Sequence, residues 1–145
     1  MATRRDAREW ALQMVFSLDL NPKAELDWTI QDFFREHPTQ DEKIRGFAVG
    51  LVRGVYREQP TIDATITRYA QHWRIARMAA VDRNVLRVAL YELLFCPDVP
   101  AAVVINEAID VAKYFSNAES GRFVNGILDR ARRELALEKE TAAVP

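Results

Sequence analysis

The 145-residue sequence predicts an all-α protein, and three observations carry that prediction. Apolar residues recur at i, i+3 and i+4 in segment after segment. No stretch of convincing length alternates with period two. The breaks between segments fall at prolines and polar turn residues. A composition of 49% apolar and 28% charged residues is that of a globular chain, and this length suffices to bury a core without disulfides.

Ala7, Trp10, Ala11, Met14, Val15 and Leu18 form the inner stripe of a first helix over about 4–20. Thr3 is placed to cap it, and Asp6 and Glu9 suit its positive dipole end. Asn21-Pro22 ends it. A short second helix at about 26–36 carries Trp28, Ile30, Phe33 and Phe34, and stops at His37-Pro38. Thr39, with Glu42 three residues on, has capping-box spacing and opens a third helix to about Glu58. Pro60-Thr61 opens a fourth through about His72, and Trp73–Met78 reads as a connecting turn. A fifth helix spans about 80–95, with Val81, Val85, Leu86, Ala89, Leu90 and Leu93 facing inward. Pro100 suits the first turn of a sixth at about 101–115. Ser116-Asn117-Ala118 separates it from a seventh at about 119–137, and the last residues are expected to fray.

Gly46, Gly50 and Gly54 share one stripe of the third helix, each costing about 1 kcal/mol relative to Ala. The flat groove they form suits close packing within the molecule, or a homodimer or partner interface. Asn125-Gly126 in mid-helix also runs against propensity, which suggests close packing or a reserved hydrogen bond.

Catalytic constellations are missing. The two histidines, His37 and His72, have no metal-ligand spacing, there is no phosphate-cradling glycine loop, and neither Ser116 nor Ser120 sits in a nucleophile elbow. Glu107 and Asp110 read as a solvated face. An enzyme and a bound cofactor are therefore not expected. The single cysteine, Cys96, reads as a packed thiol and fits a reducing cytoplasm. No apolar run approaches the roughly 20 residues of a membrane span. A net charge of −1 argues against coating nucleic acid by bulk electrostatics, so any RNA contact must be local or shared with a basic partner.

Local cations do exist. Arg4, Arg5 and Arg8 lie where the helix dipole disfavours them, and their spacing lets them converge on one phosphate-binding surface. The competing reading is solvation, with Arg5 and Glu9 paired along the helix. Tyr69 and Phe123, next to Arg68 and Arg122, have the composition of a base-stacking site; Phe123 also lies in phase with a core stripe.

The segments RRDAREWALQMVF, VDRNVLRVALYEL, the DVP turn before VINEAIDVAK, and SGRFVNGILD resemble the bacterial transcription antitermination factor NusB family over nearly the whole chain. The resemblance implies a non-enzymatic fold of two perpendicular helical subdomains. It suggests one domain over 1–138, divided into 1–59 and 60–138, with a flexible tail at 139–145. It implies pairing with NusE, a small basic ribosomal protein, binding of boxA RNA, and action with RNA polymerase on ribosomal RNA operons. Carried over by position, the RNA surface would comprise Arg4, Arg5, Arg8, Phe16, Tyr69, Arg87, Glu119 and Phe123, with Asp82 facing NusE. Asp6 stands where many relatives are basic, Phe16 where tyrosine is common, and Ser116 where glycine is usual. Two other readings stand beside this one: a helical homodimeric module, and the NusB-like domain of a ribosomal RNA methyltransferase, which the length of this chain disfavours.

Overall fold

The computed structural model describes the backbone of residues 1–143 and the side chains of 1–136, and the described residues form six α-helices and one 3-10 turn with no strand. These are α1 (Arg4–Leu20), α2 (Leu26–Glu36), α3 (Glu42–Ala70), the 3-10 turn (Ile75–Arg77), α4 (Ala80–Phe95), α5 (Ala101–Phe115) and α6 (Ala118–Ala143). The tail expected at 139–145 lies outside the residues whose side chains are described. No described helix is long and apolar enough to cross a membrane.

The first helix starts as its sequence requires. The Thr3 hydroxyl accepts from the Asp6 N–H at 3.1 Å, and the Asp6 carboxylate accepts from the Thr3 N–H at 2.7 Å. This reciprocal cap is worth about 1 kcal/mol and accounts for an acid among the arginines. At the third helix the expected cap moves. Asp41 accepts from the Ile44 N–H, while Thr39 accepts from the Asp41 N–H two residues on. Asp is as good a cap as Thr, and the Thr39 turn aims the chain into it.

The expected break at Gln59-Pro60 does not occur. α3 runs 29 residues through Pro60, merging the third and fourth expected helices, so the division expected at 59/60 falls inside it. Proline removes one hydrogen bond to the carbonyl four residues back. Here both Pro60 and Tyr56 are exposed, so water can satisfy that carbonyl, while buried Val55 and Ile62 hold the helix on either side.

α4 packs against α1, α3, α5 and α6. Every residue from Asn84 to Leu90 is buried, so the helix is enclosed all round for nearly two turns. Its charged residues are enclosed too. Glu92, 1% exposed, receives both guanidinium arms of Arg8 at 2.8 Å. Arg87, 5% exposed, donates to both oxygens of Asp63 on α3 (2.9 and 3.0 Å) and to the Asn84 side chain (2.9 Å), and pairs with Asp19 of α1 at 3.0 Å. Asp19 also accepts from Arg83 at 2.6 Å and Asn84 at 3.0 Å. Burial pushes the Asp19 carboxyl up, but the bonds from Asn84, Arg83 and Arg87 outweigh it and hold it below the usual carboxylate range.

The glycine stripe splits. A Cβ on Gly54 would stand 2.1 Å from Cζ of Tyr91, so this glycine admits the α4 ring. Gly46 and Gly50 are exposed and a Cβ there would meet nothing within 4 Å, so the close packing expected of the whole stripe holds only at Gly54.

Chemical denaturation should separate these glycines. Gly50→Ala is expected to stabilise by roughly 0.5–1 kcal/mol through helix propensity. Gly54→Ala should destabilise by about 1–2 kcal/mol because the Tyr91 ring, stacked at 5.5 Å on Phe95, must move. In the same assay Arg87→Ala should lose about 3 kcal/mol, since it leaves Asp63 without its cation and empties a buried site, while Asp19 keeps Arg83 and Asn84.

Candidate nucleic-acid interface

The three N-terminal arginines do not converge. α1 is wedged among α3, α4 and α5; Arg4 and Arg8 both lie over the Phe47 ring, while Arg5 turns away to α5. Arg4 is exposed and lies 4.7 Å over the Phe47 ring of α3. Arg5 reaches across to α5, hydrogen-bonding Glu107 and, at 2.9 Å, Asp110. The expected Arg5–Glu9 pair is therefore replaced, and Glu107 and Asp110 are partners rather than a merely solvated face. Arg8 is buried on Glu92, and withdrawing it toward a ligand would leave a charge stranded in the core at a cost of several kcal/mol.

Two of the other expected contacts are also interior. Tyr69 is 1% exposed, beneath the Arg68 guanidinium at 5.2 Å, and Arg87 is the buried node described above. A stacking ring or a phosphate fork at either position would require the core to open. Phe16 and Phe123 are half-buried, and Glu119 is exposed in the first turn of α6. Asp82 is buried in the first turn of α4, and its Oδ1 has no hydrogen-bond partner among the described residues. Asn125 and Gly126 are exposed, with nothing within 4 Å of a Cβ at Gly126, so the close packing expected there is not found. Burial, with Glu92 and Asp98 nearby, pushes the Cys96 thiol up, as suits a packed rather than a nucleophilic sulfur.

The surface feature that periodicity missed lies in the 71–78 segment. Trp73 is 57% exposed and meets Phe123 of α6 edge to face, with centroids 5.5 Å apart and planes at 84°. Arg74 and Arg77 follow it in the chain, Arg122 precedes Phe123, and all three are exposed with no ion-pair partner among the described residues. An exposed tryptophan flanked by unpaired arginines suits a nucleobase with its phosphates. The signal was legible in the run from His72 to Arg77, but a turn has no period to reveal it.

This segment is held firmly. Gln71, after the last turn of α3, has φ 51° and ψ −72°, the positive-φ γ-turn region, which costs a non-glycine residue about 1–3 kcal/mol. The Tyr69 carbonyl just before it accepts from Arg130 Nη1 at 2.6 Å. The Trp73 N–H closes back to the Ala70 carbonyl at 3.2 Å. Arg83, anchored on Asp19, donates to the carbonyls of Ile75 (3.1 Å) and Met78 (3.3 Å). The buried network thus extends an arm to the surface loop.

Comparison with known proteins agrees with this architecture. A transcription antitermination protein NusB of Koribacter versatilis (strain Ellin345) is 44% identical over 138 residues, spanning 95% of this chain and 94% of the relative. The solved structure of T. maritima NusB superposes with a TM-score of 0.84 at 38% identity, covering 92% of each chain. A chain from a crystal structure of the antitermination factors NusB and NusE in complex with double-stranded RNA gives a TM-score of 0.84 at 26% identity, covering 90% of this chain and 96% of that one. The model of the NusB family matches residues 5–133, and with near-complete alignment to these relatives the chain belongs to the NusB family.

Proposed function

We propose that the chain acts in the cytoplasm as a transcription antitermination factor that binds boxA RNA together with NusE and supports RNA polymerase through ribosomal RNA operons. The observation that carries this reading is the similarity, over nearly the full length, to a protein solved with NusE and RNA. Electrostatics supports a shared mode of binding. With a net charge of −1 and Arg8 buried on Glu92, the free chain attracts a phosphate backbone only through local cations. A basic partner extends the positive surface. Asp82 is the acidic position that the family resemblance assigns to such a partner; it is buried in the first turn of α4, with no hydrogen-bond partner for its Oδ1 among the described residues.

On this reading the RNA surface comprises the members of the expected set that reach solvent: exposed Arg4 and Glu119, and partly buried Arg5, Phe16 and Phe123. Arg8, Tyr69 and Arg87 act as scaffold beneath it.

Gel-shift titrations of boxA RNA with and without NusE test the proposal. NusE is expected to tighten binding at least tenfold, about 1.4 kcal/mol of coupling. Arg4→Glu should weaken RNA binding while NusE stays bound. Equal affinity with and without NusE would contradict the shared mode.

A further inference from the structure

We propose that Trp73 is a nucleobase-stacking residue that forms, with Phe123, a platform for an unstacked base of single-stranded RNA, while Arg74, Arg77 and Arg122 hold the adjoining phosphates. The proposal rests on the antitermination reading and names contacts within its RNA surface.

The indole is more than half exposed although the α4–α6 core lies close by, with Met78 five residues on buried at 6%. It does not float. The edge-to-face contact with Phe123 orients it, and leaves ring surface open to solvent. The chain spends an unfavourable backbone conformation at Gln71 and is clamped by Arg130 and Arg83 on either side of the indole. Strain and anchoring gathered beside an exposed aromatic are the marks of a preorganised contact. The ligand class follows from the neighbours. Arg74 and Arg77 follow Trp73 in the chain and Arg122 precedes Phe123, all three exposed and without an acidic partner among the described residues, and guanidinium groups beside aromatic residues match phosphate and base together. A helix or strand of a protein partner would need an apolar patch broader than two rings.

Fluorescence-anisotropy titrations of boxA RNA with the full chain and NusE compare the wild type with Trp73→Ala and Trp73→Phe. Trp73→Ala is expected to bind about tenfold more weakly and Trp73→Phe within about threefold of wild type, because stacking needs only a π-face. Arg74→Ala combined with Arg77→Ala should lower the slope of log affinity against log salt by about 1.4, two phosphate contacts on a single strand. RNA carrying 5-iodouridine should photocross-link to Trp73 or Phe123, as mapped by mass spectrometry. Wild-type affinity in Trp73→Ala, or cross-links confined to other residues, overturns the platform and leaves the antitermination reading standing. Loss of NusE binding in Trp73→Ala with unchanged RNA affinity of the chain alone makes the patch a protein-docking surface and overturns it too. A wild-type complex that does not bind boxA RNA defeats both.

Discussion

Charges buried on α4 constrain everything around them. Arg87 and Glu92 sit at 5% and 1% exposure on a helix enclosed by four others, and each needs a partner from a different part of the chain. Asp19 comes from the end of α1, Asp63 from the far half of α3, and Arg8 from the start of α1. A buried pair adds little net stability over well-packed apolar residues, whereas an unmatched buried charge costs several kcal/mol. What these pairs supply is intolerance of other arrangements. Slide α1 by one turn and the contacts of Arg8 and Asp19 with α4 are lost together.

This constraint divides the arginines into two populations that look alike in sequence. Arg8 and Arg87 face inward and are saturated by carboxylates, while Arg74, Arg77 and Arg122 face outward without acidic partners among the described residues. Arg83 joins the two worlds. Its guanidinium holds Asp19 on one side and the carbonyls of Ile75 and Met78 on the other, so the surface segment takes its position from the core. Specific contact with RNA by a nearly neutral protein depends on such positioning, because bulk charge cannot supply it.

Most of the helices were legible from apolar period together with caps and proline breaks, which give the bounds of α1, α2, α4 and α5. The Thr3 cap was legible because its chemistry is local. The exceptions share a cause. Whether Pro60 breaks a helix depends on which face it occupies, and whether Thr39 or Asp41 caps one depends on how the chain enters; neither is written in spacing. The contacts of the N-terminal arginines are hidden for the same reason, as helical period puts Arg4, Arg5 and Arg8 near one another but only α3, α4 and α5 decide what each one touches. Trp73 escaped because residues in a turn carry no period to test. The resemblance to the family placed Phe123 on the surface and also placed Tyr69 and Arg87 there, although both are interior in this fold.

Hydrogen exchange on Arg83→Met tests the central claim, that the buried α4 network fixes the surface segment. The substitution removes the arm to Ile75 and Met78 while Asp19 keeps its bonds from Asn84 and Arg87. The account predicts that the amides of Trp73, Arg77 and Met78 lose protection at least tenfold while amides within α5 and α6 keep theirs. Unchanged protection at 73–78, or an equal loss in every helix, would contradict it.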